Sequence, residues 1–88
     1  MQIEFKIPES FSLKDKRRVI KSIIDRTRRK FNVSIAETDN NDVKNYAVLS
    51  ISNVSNSKIF TESMFDKILN FLQANFEIEI ISARKEFL

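Results

Sequence analysis

The spacing of apolar residues changes period repeatedly along this chain, and the order of those changes leaves few folds open. In QIEFKIP, Ile3, Phe5 and Ile7 alternate with Gln2, Glu4 and Lys6. That period of two predicts a strand with one buried face, and Pro8 ends it because proline has no N–H to give a ladder. From Leu13 the period lengthens. Leu13, Ile20, Ile24 and Phe31 recur at helical spacing with Val19, Ile23 and Thr27 beside them, after Ser12 and Asp15 in the arrangement of an N-cap and capping box. The spacing predicts a helix over 13–30. NVSIAETD returns to a period of two, setting Val33 and Ile35 against Ser34 and Ala36, and breaks at the Asx-rich turn DNND. NYAVLSISNV alternates again with Ala47, Leu49 and Ile51 on one face, so the two strands read as a hairpin. A second helix opens at SNSK, capped by Asn56 or Ser57, with Ile59 or Phe60, Met64, Phe65, Ile68, Leu69, Phe71 and Leu72 as its apolar stripe. FEIEIISARKEF closes the chain as a strand through Phe76, Ile78 and Ile80.

The order β-α-β-β-α-β within 88 residues predicts one α+β domain, 1–88, of the ferredoxin-like type. It is a four-stranded antiparallel sheet, with both helices forced to one face by right-handed crossovers. The helix-facing set is Ile3, Phe5, Ile7, Val33, Ile35, Ala47, Leu49, Ile51, Ile78 and Ile80. The opposite face carries Gln2, Glu4, Lys6, Ser34, Thr38, Tyr46, Ser50, Ser52, Glu77 and Glu79 with Ala36 and Val48, and Ile81 joins it if a bulge intervenes. A domain this short buries only roughly 60% of its unfolded surface. Ala36, Val48 and Ile81 are therefore a candidate self-association face for a homodimer.

Charge is unevenly placed. Residues 14–30 hold nine of the fifteen basic residues against only Asp15 and Asp25, so that segment carries +7 in a chain whose net charge is +3, and the remainder is acidic. On a helical projection Lys14, Arg17, Arg18, Lys21, Arg28 and Arg29 share about a third of the circumference, Arg26 and Lys30 lie on the other flank, and Lys16 falls inside the apolar arc, where it is expected to snorkel outward. Arg26, Arg28, Arg29 and Lys30 sit where cations favour the helix dipole; Lys14, Lys16, Arg17 and Arg18 oppose it. A bound anion compensates such an arrangement, so Lys14, Lys16, Arg17, Arg18, Lys21, Arg28 and Arg29 form the candidate nucleic-acid or anion-binding set. An acidic protein partner fits the same face.

Several chemistries are excluded. With no cysteine and no histidine there is no thiolate or imidazole nucleophile, base or metal ligand. With no glycine there is no phosphate cradle of the Walker or dinucleotide kind. Glu37, Asp39 and Asp42 near the hairpin turn are accounted for by Asx-turn chemistry rather than by a metal ion. The expectation is a protein without enzymatic activity, cofactor or metal. Tyr46 is the only aromatic residue of the third strand, and Glu4, Glu77 and Glu79 make the sheet a poor platform for stacked bases. The first residues lack the long apolar run of a signal peptide or membrane span, so a cytoplasmic protein that does not enter membranes is expected.

The stretch SLKDKRRVIKSIIDRTRRKFNVSIAETD, with AVLSISNVSN after it, resembles the YlxP-like bacterial family of small ferredoxin-like proteins of unknown function. The likeness runs over nearly the whole chain. Family members are often encoded among translation and ribosome-assembly genes, so the resemblance implies an RNA or ribosome partner while supplying no catalytic residue. The family commonly carries a Leu-Trp pair after the position of Asp42, where this chain has Val43 and Lys44.

Overall fold

The computed structural model describes residues 1–8 and 10–87. The elements are β1 (Gln2–Lys6), α1 (Leu13–Lys30), β2 (Ser34–Asp39), β3 (Tyr46–Ser52), α2 (Lys58–Asn75) and β4 (Glu79–Arg84). The strands form one antiparallel sheet in the order β2-β3-β1-β4. Each helix joins two parallel strands that are not neighbours, the split β-α-β arrangement expected from the element order. Two bulges re-aim the edges. One falls opposite Glu4 and Phe5 and leaves Ile81 between Ile80 and Ser82; the other leaves Thr38 between Glu37 and Asp39.

Helix α1 starts where its cap chemistry dictates. Ser12, in extended backbone, accepts the N–H of Asp15 at 3.1 Å, and the Asp15 carboxylate accepts the N–H of Phe11 at 3.3 Å. The helix-facing residues Ile3, Phe5, Ile7, Ile35, Ala47, Leu49 and Ile51 are buried, with Val33, Ile78 and Ile80 packed at the rim. Helix α2 is capped by Ser57, which accepts the N–H of Phe60 at 3.2 Å. Its buried stripe is Thr61, Met64, Phe65, Ile68 and Leu72. The spacing gives that stripe either Ile59 or Phe60, and both are exposed instead. Thr61 takes the inward position one turn before Met64 and Phe65, and its hydroxyl donates to Asn53 at 3.0 Å. The last strand also starts later than expected. Phe76 ends α2, its N–H on the carbonyl of Leu72, and stacks edge-on against Phe71 at 6.3 Å.

Thr27 is fully buried in α1, and its hydroxyl has no partner among the described residues. Replacing it with the near-isosteric valine removes that unsatisfied group. Thr27→Val is expected to leave stability unchanged or raise it by about 1 kcal/mol, read as a shift in the urea midpoint at constant slope. A loss above that size would mean that the hydroxyl has a partner.

The uncovered face corrects one expectation. Alternation places Val48 on the candidate self-association surface, yet it is only 4% exposed. Its cross-strand neighbours are Glu4 and Asp39, and the Tyr46 hydroxyl donates to Glu4 at 2.5 Å beside it. Long polar side chains thus cover the one branched apolar residue in the middle of the sheet. Ala36 and Ile81 are exposed, but they lie on β2 and β4, at opposite edges. The three residues do not make one apolar patch.

The hydrogen bond to Glu4 holds the phenol of Tyr46 above its ordinary value of 10.0, with burial and the charges of Glu4 and Asp39 acting in the same direction. The folded state therefore holds this proton more tightly than the unfolded chain. The bond contributes stability that is fully present below the ordinary tyrosine value and is lost as pH rises through the folded one. Because Tyr46 is the only tyrosine, an absorbance titration should show one midpoint above that of free tyrosine, and Glu4→Ala should bring it down. An unshifted midpoint would contradict the contact.

Candidate functional site

The cations of α1 fall into three groups that the sequence alone does not separate. The first turns inward. Lys16 does not snorkel to solvent; it is 1% exposed, with its ammonium 2.8 Å from Glu37 Oε2 and donating to the carbonyl of Asn40 at 2.5 Å. The approach to Glu37 is an ion pair off the direction of a hydrogen bond, and the aligned bond goes to Asn40. Asn40 holds the left-handed conformation, φ 55°, which in a chain without glycine falls to an asparagine. Its carbonyl also accepts the N–H of Val43 at 3.0 Å across the hairpin turn. Lys16 therefore ties the start of α1 to β2 and to the β2–β3 turn. Its place in the candidate anion-binding set is withdrawn, because its charge is already matched and water cannot reach it.

The second group is spent on neighbouring elements. Arg26 lies over the rings of Phe76 and Phe71, 4.8 and 5.7 Å from their centroids, and donates to Asn75 at 3.1 Å. Lys30 lies 5.1 Å from the Phe71 centroid. These contacts fasten the outer flank of α1 to α2 by cation–π attraction. Arg28 reaches the other way and donates to the carbonyl of Ile35 on edge strand β2 at 3.1 Å.

The third group is what remains. Lys14, Arg17, Arg18, Lys21 and Arg29 are all exposed along one face of α1. Among the described residues, only Lys21 of these five enters an ion pair, with Asp25 at 3.4 Å, a surface contact of small worth. From Lys14 to Arg29 the face runs about 22 Å at 1.5 Å per residue. Arg18, Lys21, Ser22, Asp25, Arg26 and Arg29 line a shallow depression of about 340 Å³ along it. Such a surface can hold anions through guanidinium forks and ammonium charge without enclosing them.

The loop before the helix adds a residue that the pattern reading passed over. Phe11 is 75% exposed, the residue before the N-cap. The buried hydroxyl of Ser10 donates to the carbonyl of Lys44, which fixes the loop against the hairpin. The carboxylates weighed as metal ligands are separated: Glu37 turns to Lys16, and Asp39 accepts the N–H of Asn40 at 2.8 Å. Among the described residues no three potential ligands converge, and no helix is long and apolar enough to cross a membrane.

The architecture and this face define a small ferredoxin-like α+β protein with a one-sided basic helix. The chain belongs to the family described as Protein of unknown function (DUF503), whose model matches residues 1–85. It is similar to the Uncharacterized protein YlxP of Bacillus subtilis (strain 168), 38% identical over 81 residues that cover 92% of this chain and 88% of that protein.

Proposed function

We propose that this protein is a non-enzymatic, cytoplasmic module that binds RNA, free or within ribosomal particles, through the exposed face of α1. The observation that carries the reading is the set Lys14, Arg17, Arg18, Lys21 and Arg29, which stays in solvent after the other cations of the helix have found partners inside the fold. Cations near a helix N-terminus oppose the dipole, so a chain that keeps Lys14 and Arg17 there retains them for an external anion. The separation of these side chains along the helix suits successive backbone phosphates. Recognition at such a face is electrostatic and reads shape more than sequence.

The reading requires binding that weakens with salt. Titration of a structured ribosomal RNA fragment at several salt concentrations should give a log–log slope of about −3 to −4.5, as expected for some four to five phosphate contacts at about 0.7–0.9 each. A flat salt dependence would remove the proposal, and no cosedimentation with ribosomal particles at low salt would remove its ribosomal part. The alternative of a homo-oligomeric scaffold is the weaker reading, because Val48 is covered and Ala36 and Ile81 lie at opposite edges.

A further inference from the structure

We infer that Phe11 stacks on an unpaired base of the bound RNA, so that the ligand of the α1 face is a single strand or a looped-out nucleotide rather than a continuous duplex. This rests on the RNA-binding reading and specifies its substrate. Three observations meet at this end of the molecule. Phe11 holds a phenyl ring in water, 75% exposed, which nothing in the packing of the domain requires. It is held in place, because its own N–H is fixed on Asp15 and the preceding Ser10 is buried against Lys44. And it stands at the head of the cationic face, three residues before Lys14 and six before Arg17.

Lys16 binds the hairpin turn at Asn40 and Ser10 binds it at Lys44, so Phe11 sits between two residues anchored to that turn, at the start of α1. A phosphate chain following the cations along α1 toward its start runs out of helix there, and its next element meets an aromatic face instead of a charge. Aromatic stacking beside a cationic track is how single strands are held without sequence reading. A duplex keeps its bases inside its stack and offers the ring nothing. The cations that follow along α1 decide for nucleic acid over a purely apolar partner; of the two acids nearest in sequence, Glu9 and Asp15, the Asp15 carboxylate is turned to the Phe11 backbone.

The test uses the whole chain with three RNAs: an unstructured single strand, a hairpin with one looped-out purine and a blunt duplex. Phe11→Ala should lower affinity for the first two roughly tenfold to a hundredfold, while duplex binding and the salt slope stay as in the parent protein. Phe11→Trp should keep the affinity, and since the chain has no other tryptophan, its fluorescence should be quenched by the single strand and not by the duplex. Equal binding by Phe11→Ala, an equal loss on all three RNAs, or an unquenched tryptophan would overturn the stacking role and leave the salt-dependent RNA reading standing. Polyglutamate binding with the same dependence on Phe11 would overturn it in favour of an acidic protein partner. Absence of salt-dependent binding to any of the RNAs would overturn both.

Discussion

Replacing Lys16 by methionine should lower the unfolding free energy by about 3 kcal/mol and replacing Glu37 by leucine by up to about 5, while the double replacement should unfold near the parent midpoint. The asymmetry follows from depth. Without Lys16, the carboxylate of Glu37, its side chain 15% exposed, can reach water, and the carbonyl of Asn40 still accepts the N–H of Val43. Without Glu37, an ammonium that is 1% exposed keeps one carbonyl and no counter-charge. In a domain whose total stability is on the order of 4–13 kcal/mol, either single change consumes much of it. The double variant leaves two flexible apolar side chains in the same space and no charge to desolvate. The measurement is a double-mutant cycle by urea unfolding, with coupling expected at several kcal/mol. Additive losses in the double variant would mean that the two charges are solvated separately and that the pair does not hold α1 to β2.

Reversing Lys14, Arg17, Arg18 and Lys21 to glutamate together should reduce RNA affinity about a hundredfold or more at moderate salt and flatten the salt slope by about 3 units. The same variant should fold as well as the parent or better. Lys14 lies in the first turn, where a carboxylate favours the helix dipole by about 0.3–1 kcal/mol. Loss of binding with an unchanged or raised melting temperature therefore separates the surface from the fold. Such a result is not available at Lys16, where charge and stability are one quantity. Undiminished affinity in the quadruple variant would place any RNA contact elsewhere on the molecule.

The element order, the helix-facing residues and the start of α1 were legible because each rests on a local rule: alternation, helical spacing or a cap. The roles of the cations were not. Arg26 and Arg29 differ little in sequence surroundings, yet one lies on two rings of α2 and the other stays in water. The difference depends on which flank α2 occupies, which only the packed fold decides. Lys16 was readable in part. It lies in the apolar arc of the helix, and Glu37 shares strand parity with Val33 and Ile35, so two opposite charges were pointing at one core. The second of these is masked in the sequence by Asp39 and Asp42, which follow Glu37 closely and group it with the turn acids. Val48 failed for a different reason. Alternation places a side chain on a face, but it does not show that Tyr46 and Glu4 close over it.

The contact from Arg28 to the carbonyl of Ile35 bears on solubility as much as on recognition. Strand β2 is an open margin of the sheet, the kind of border along which chains zip into ribbons. Its alternating small residues, Ser34, Ala36 and Thr38, would offer an incoming strand little steric objection. A guanidinium laid across the border occupies an acceptor that such a strand would need and brings a positive charge with no ion-pair partner among the described residues to the place where it would dock, while the bulge at Thr38 kinks the far end. A helix that faces outward with five cations thus sets a sixth where it opposes the addition of an identical strand.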